Sequence, residues 1–61
     1  MTMKRMRELE AEAEEIMQNG TFNGMNGNTN WQNNFYVVNG YLVNIQYHNG
    51  RLYDIINYGR C

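Results

Sequence analysis

The chain has 61 residues and a net charge of −1, from five Lys or Arg against six Asp or Glu. So few cations leave no basic field to collect nucleic acid, which argues against nucleic-acid binding. No apolar run is long enough to cross a bilayer, and the N-terminus lacks the apolar core of a signal peptide. We therefore expect a cytoplasmic protein without a membrane contact, or one in the host cytoplasm if its source is viral.

A chain this short lies near the lower limit for a single hydrophobic core, which rarely supplies more than about 3–5 kcal/mol of stability. Disulfides and metals are the usual reinforcements, but Cys61 is the only Cys and His48 the only His. Neither an intrachain disulfide nor a zinc site can form from these residues, and no metal or cofactor is predicted. Self-association remains, and a homo-oligomer, with a dimer favoured, is expected.

The first predicted element is an amphipathic helix over about residues 2–18. Thr2 is a candidate N-cap and Gly20 a candidate C-terminal stop. A helix of about 17 residues spans about 25 Å, so it can lie along a strand of about eight residues. Its apolar stripe predicts core packing, with a methionine-rich binding groove as the alternative. The stripe consists of Met3, Met6, Leu9, Ala13, Ile16 and Met17.

The charges of this helix oppose its macrodipole. Lys4, Arg5 and Arg7 lie at the positive end of the dipole, and glutamates follow toward the negative end. Three interpretations stay open: a solvated face, an antiparallel helix pair between two copies, or an acidic surface for a basic site on another protein. In the third interpretation the partner-binding residues include Glu8, Glu12 and Glu15.

An Asn- and Gly-rich connector follows over about residues 19–33. Asn23-Gly24 and Asn26-Gly27 are turn signals, and a structureless loop of this length is unusual in a small domain. The connector therefore holds a short fourth strand near 29–32 or forms a functional loop. Its aromatic residues, Phe22 and Trp31, either pack at the edge of the core or are exposed as interface anchors.

Two consecutive β-hairpins are predicted over about residues 34–58. Asn39-Gly40 and Asn49-Gly50 supply the residues with φ > 0 that a type I′ turn requires. β-Branched and aromatic residues flank both pairs, as is typical of strands. The repeated pattern Asn-Gly-x-Leu-x-x-Ile starts at each turn. These features predict a meander of three antiparallel strands.

Two-residue turns set the register, so the strands should divide into two faces. One face is nearly all apolar and is assigned to the core: Tyr36, Val38, Tyr41, Val43, Ile45, Tyr47, Leu52, Asp54, Ile56 and Tyr58. The other face is mixed: Phe35, Val37, Leu42, Asn44, Gln46, His48, Arg51, Tyr53, Ile55 and Asn57. A bulge at either turn would reverse the flanking strand. Asp54 is the polar misfit in the core, and it should bond a Tyr, pair with an Arg or mark such a bulge.

Together these elements predict a single α+β domain over residues 1–61, with one N-terminal amphipathic helix packed on a three-stranded antiparallel β-meander. The chain contains no Ser, and neither a nucleophile–base pair nor paired carboxylates are indicated. We therefore expect no enzymatic activity and no catalytic residue.

Small size, absent chemistry and an aromatic, Asn-rich surface favour a binding protein. The leading hypothesis is an inhibitor or adaptor that blocks another protein, of the anti-defence type that phages and mobile elements carry. Its partner-binding residues would be Glu8, Glu12, Glu15, Trp31, Phe35, Val37, Leu42 and Tyr53. The alternative is an oligomeric sponge that sequesters a small nucleotide-like ligand between subunits. Its ligand-binding residues would be Asn44, His48, Arg51 and Tyr53.

Overall fold

The computed structural model describes residues 3–60, so Thr2 and Cys61 lie outside the described residues. The elements in chain order are the helix α1 (Met3–Asn19) and the strands β1 (Thr21–Gly27), β2 (Trp31–Val38), β3 (Tyr41–His48) and β4 (Arg51–Arg60). The strands form one antiparallel sheet in the order β1-β2-β3-β4, so β1 and β4 are its edges. The predicted α+β fold, a helix packed on an antiparallel meander, is confirmed.

Both predicted Asn-Gly turns are present with the expected geometry. Asn39 and Gly40 have φ of 53° and 82°, and Asn49 and Gly50 have φ of 52° and 79°. Positive φ at both central residues defines the type I′ turn, whose twist matches that of the flanking strands. The register is also as predicted, since the residues that flank each turn pair directly across the hairpin.

The fourth strand, for which the sequence left room, is β1. It runs over Thr21–Gly27 instead of lying near 29–32, because the chain enters the sheet directly after the helix. The Gly20 N–H donates to the Ile16 carbonyl at 2.7 Å and ends the helix. A side chain at Gly20 would lie 2.6 Å from Val38 Cγ2, so only glycine lets the chain turn this close to the sheet.

The core lies between α1 and the centre of the sheet. Leu9, Ala13 and Ile16 are the buried residues of the helix, and Val43 and Ile45 are the buried apolar residues of β3. Half-buried side chains complete this layer: Tyr36, Val38, Tyr47, Leu52 and Ile55.

The two ends of the predicted methionine stripe stay outside the core. Met3 is 72% exposed and Met17 is 46% exposed, so core packing holds for the middle of the stripe alone.

Within residues 3–60, no helix is both long enough and apolar enough to cross a bilayer.

The predicted faces hold for β2 and β3 but are wrong for β4 beyond Leu52. The pairing shifts by one residue between Leu52 and Asp54, which leaves Tyr53 as a bulge. Ile55 consequently packs against the core, although the regular register assigned Ile56 to that position. The second half of β4 is therefore reversed, as expected when a bulge inserts one residue into a strand whose side chains alternate.

Asp54 fulfils two of the three roles expected for it. It adjoins the bulge, where its Oδ1 accepts a hydrogen bond from the Ile55 N–H at 2.8 Å. The same oxygen lies 3.8 Å from Arg5 Nη2 on the helix. Both side chains are about half exposed, so this ion pair contributes at most about 1 kcal/mol.

Candidate binding surface

The candidate surface is the face of the sheet opposite α1, here called the outer face. Within residues 3–60 no helix or strand packs over it, since the single described helix lies on the other side. Strand alternation and the paired register place eight residues of β2 and β3 on the outer face. They are Trp31, Asn33, Phe35 and Val37, opposite His48, Gln46, Asn44 and Leu42.

One end of the outer face carries an aromatic cluster of Trp31, His48 and Tyr53. Trp31 and His48 are cross-strand partners whose rings stack with centroids 4.0 Å apart. Tyr53, the bulge residue of β4, also lies on this face, and its ring meets Trp31 edge-to-face at 5.0 Å. Such contacts are each worth about 0.5–1.5 kcal/mol beyond burial, so the three rings hold one another in position.

The turn between β1 and β2 orients Trp31. Asn28 Oδ1 accepts hydrogen bonds from the N–H groups of Asn30 and Trp31 at 2.9 and 3.0 Å. The Asn28 N–H in turn donates to the Trp31 carbonyl at 2.8 Å. The Asn30 carbonyl accepts from the Asn49 N–H at 2.8 Å, which ties this turn to the β3–β4 turn. The backbone on both sides of the aromatic cluster is therefore restrained.

An amide ladder, formed by Asn26, Asn33, Asn44 and Gln46, crosses the middle of the outer face. Asn33 Oδ1 accepts from Asn44 Nδ2 at 2.9 Å and from Gln46 Nε2 at 3.1 Å, and Asn33 Nδ2 donates to Asn26 Oδ1 at 2.9 Å. Asn44 Nδ2 also approaches the Tyr58 hydroxyl of β4 at 3.3 Å. One connected set of hydrogen bonds thus joins all four strands.

Asn44 is the buried centre of the amide ladder. Its side chain is 1% exposed, and its Oδ1 accepts from the backbone N–H of Asn34 at 3.1 Å. Among the described residues, no buried side-chain nitrogen or oxygen lacks a partner. A fully satisfied polar network of this kind adds rigidity, whereas a partly satisfied one is costly.

Replacing Asn44 with alanine should destabilise the protein by about 2–3 kcal/mol, because it leaves the buried Asn34 N–H without its side-chain acceptor. Asn26→Ala is the matched control, since Asn26 is exposed at the end of the same ladder. It should cost at most about 0.5–1 kcal/mol. Urea denaturation measures the free energy of unfolding of both variants. Equal losses would show that the ladder has no buried centre.

The other end of the outer face is apolar. Val37 and Leu42 are cross-strand partners, and Phe35 lies beside them on β2. The Phe35 ring is 6.2 Å from that of Tyr58, which is 54% exposed. The outer face thus has an aromatic end, a polar centre and an apolar end. Protein interfaces combine hydrophobic anchors with hydrogen-bonding groups, and the outer face presents both.

The structure divides the sequence-predicted partner-binding residues between two sides of the molecule. Five of them share the outer face: Trp31, Phe35, Val37, Leu42 and Tyr53. Glu8, Glu12 and Glu15 are exposed on α1. Glu12 and Glu15 also line a cleft of about 600 Å³ between the helix and the end of β3. A flat partner cannot contact both sets at once.

The alternative ligand-binding set is brought together only in part. His48 pairs with Arg51 across the turn, and Tyr53 lies edge-on to His48 at 6.0 Å. Asn44 is separate, because its amide is buried and already bonded within the ladder. Sequence reasoning missed Asn28, Asn33 and Tyr58 as contributors to this face. Asn28 carries a local signal, since an Asn side chain favours turns by accepting a hydrogen bond from the backbone N–H two residues on, as it does here from Asn30.

Within residues 3–60 no three His, Asp, Glu or Cys side chains gather in a way that could hold a metal ion. Comparison with known protein families, with curated proteins and with solved structures finds no match to this chain.

Proposed function

We propose that this protein acts by binding another protein, as an inhibitor or adaptor that blocks its partner, and not by catalysis. The observation that carries the proposal is the outer face, where a restrained aromatic cluster lies on an uncovered sheet. The anti-defence role in the cytoplasm of an infected cell, expected from the sequence, is part of this proposal.

The composition of the outer face supports protein binding. Tryptophan, tyrosine and arginine dominate the binding energy of protein interfaces, and Trp31, Tyr53 and Arg51 lie together at one end. Tyr53 is 46% exposed, although its ring packs edge-to-face on Trp31. An anchor held by its neighbours loses little side-chain entropy when it binds, which favours affinity.

The amide ladder supports the same proposal. Its internal hydrogen bonds satisfy Asn44, while the exposed Asn26 keeps hydrogen-bonding capacity for a partner. Because the four strands are cross-linked through side chains, the surface is held in one shape before any partner arrives. Preorganised interfaces of this kind change little on binding.

The acidic helix surface supports the proposal less well. Glu8, Glu12 and Glu15 are solvent-exposed, and exposed charges act mainly on association rate and salt dependence. We assign them a steering role toward a basic partner, whereas the outer face supplies the affinity.

The nucleotide-like ligand remains the second candidate, because His48, Arg51 and Tyr53 do meet at one corner. Tyr53 could stack on a base, and Arg51 could contact a phosphate. Mass spectrometry of the purified protein under native conditions distinguishes the two proposals. A bound nucleotide-like compound supports the sponge, whereas a clean protein mass supports the inhibitor or adaptor.

The direct test places a photoreactive benzoylphenylalanine in place of Tyr53 and, in a second protein, in place of Glu8. We expect position 53 to cross-link a specific protein in cells of the source organism, with a much lower yield from position 8. Cross-linking from position 8 alone would contradict the outer-face proposal and favour the acidic surface.

The captured protein then allows an affinity measurement. Tyr53→Ala should weaken binding by about thirty-fold or more, the effect of losing a hot-spot residue. Tyr41→Ala is the matched control, because Tyr41 is similarly exposed at 38% and follows the first hairpin turn on the α1 side of the sheet. Calorimetric titration should show an unchanged affinity for this control.

A further inference from the structure

The edge strand β1 exposes apolar side chains that the protein's own helix leaves uncovered. Phe22 is 53% exposed and Met25 is 56% exposed, and the nearby Met17 of α1 is 46% exposed. We define these three residues as the β1-edge patch. Exposed large apolar groups gathered at a sheet edge indicate an interaction site.

The β1-edge patch lies entirely on the α1 side of the sheet. Phe22 packs edge-to-face on Tyr36 at 5.5 Å, and Tyr36 packs against the core. Met25 pairs with Asn34, which lines the same groove as Met17 and Tyr36.

A bulge explains how two residues three apart in the strand reach one side. The β1–β2 pairing shifts between Phe22 and Gly24, which adds the extra residue Asn23. In a regular strand, Phe22 and Met25 would point to opposite faces. The bulge therefore gathers both large apolar residues of β1 beside the helix.

We infer that the β1 edge pairs antiparallel with the β1 edge of a second copy of this chain, around a two-fold axis near Asn23 and Gly24. Phe22 of each copy then lies opposite Met25 of the other, so the apolar residues meet twice. Methionine sulfur beside an aromatic ring is a favourable contact. The result is an eight-stranded sheet with both helices on one side.

The chemistry of the two edges selects this pairing. β1 has the sequence Thr-Phe-Asn-Gly-Met-Asn-Gly and carries no charge, so like edges do not repel. The other edge, β4, carries Arg51, Asp54 and Arg60, and charges on an edge strand oppose pairing. Pairing β1 with β4 would also be heterologous and would continue as an open filament, whereas two β1 edges close a dimer.

The size of the edge allows a small interface between two copies. A strand of seven residues is about 23 Å long, and the molecule is 18 Å across in its thinnest direction. Each edge surface therefore presents on the order of 400 Å² in projection, so two copies bury on the order of 800 Å² before side-chain relief is counted, close to the roughly 1,000 Å² in total of a specific interface. A chain of this length also gains from oligomerisation, because its own core is small.

Sedimentation equilibrium of the purified protein tests this inference. We expect a dimer that persists at about 1 M salt, where the Debye length is about 3 Å, because the interface is apolar and uncharged. A monomer at all concentrations would overturn the inference. So would a dimer that dissociates as salt is raised, since that behaviour belongs to the charged helix pair.

A pair of variants locates the interface. Met25→Lys should weaken the dimer by about thirty-fold or more, because it places a charge in the centre of the patch. Tyr41→Lys adds the same charge to an exposed side chain of β3, on the α1 side of the sheet but away from β1, and it should leave the dimer unchanged. Equal weakening by both variants would overturn the assignment to β1. Circular dichroism of each variant checks that the fold is retained.

A chemical cross-link tests the interface without a variant that weakens the dimer. Asn23→Cys in a Cys61→Ser background lies near the proposed axis, so a short bis-maleimide should join two chains in high yield. Glu8→Cys in the same background should yield monomers. The reverse result would place the helices, and not β1, at the interface. None of these measurements involves the outer face, so either proposal can fail without the other.

Discussion

Ile45→Ala is expected to leave a large part of the protein unfolded at room temperature. Ile45 is 1% exposed at the centre of β3, in the cluster with Ala13, Ile16 and Val43. Truncating a buried isoleucine to alanine costs about 2–5 kcal/mol, because transfer energy is lost and a cavity remains. A core of this size supplies about 3–5 kcal/mol of stability in all. The loss at Ile45 is therefore nearly as large as the whole free energy of unfolding.

Urea denaturation at a constant protein concentration measures this effect, with near-ultraviolet circular dichroism as a check on core packing. Ile56→Ala is the control, since it removes the same atoms from a half-buried isoleucine outside the core cluster. It should cost about 1 kcal/mol. A loss at Ile56 as large as that at Ile45 would place Ile56 in the core, as the regular register without the bulge at Tyr53 requires.

Gly27→Ala is expected to be the second strongly destabilising change, at about 3 kcal/mol or more. Gly27 has φ of 142°. An added Cβ would also lie 2.1 Å from the Trp31 carbonyl oxygen, a separation that no real Cβ tolerates. Since that oxygen accepts the Asn28 N–H, the turn that orients Trp31 would have to open.

Gly24→Ala is the control that separates the backbone strain of a positive φ from the steric clash of an added Cβ. Gly24 lies on the same strand with φ of 122°, but nothing stands within 4 Å of the position of its Cβ. It should therefore cost about 1–2 kcal/mol, the strain of positive φ alone. Thermal unfolding of both variants gives the comparison, and tryptophan fluorescence should change for Gly27→Ala only. Equal losses of stability in the two variants would mean that the turn accommodates the Cβ at position 27 at no cost in free energy.

The hairpins could be predicted because their information is local. The two Asn-Gly turns determine a turn type, and the turn type determines which residues of β2 and β3 face each other. Val38 and Tyr41 therefore pair as expected. β1 could be anticipated only as a fourth strand of uncertain place, since its Asn and Gly residues have low strand propensity. β1 is held in the sheet by its pairing with β2, and a contact between two strands cannot be read from a short stretch of sequence.

The candidate surface was predictable in composition but not in arrangement. Phe35, Val37 and Leu42 lie on the outer face, as their alternation indicates. The contact of Trp31 with Tyr53 required the true start of β2, because the sequence assigned Trp31 to the connector and not to a strand. Half of the amide ladder could be predicted from the sequence, because Asn44 and Gln46 were assigned to the same face. Its other half required the register of β2 against β3.

The strand order of the sheet also bears on how the chain folds. Every strand pairs only with its neighbours in the chain, so no contact in the sheet requires closure of a long loop. Such a topology has low contact order, and proteins of this kind fold quickly. The sequence contains no proline, so no slow prolyl isomerisation interrupts the process. The meander can therefore grow outward from the Asn39-Gly40 hairpin, and the edges of its inner strands β2 and β3 are exposed to unwanted partners only briefly during synthesis.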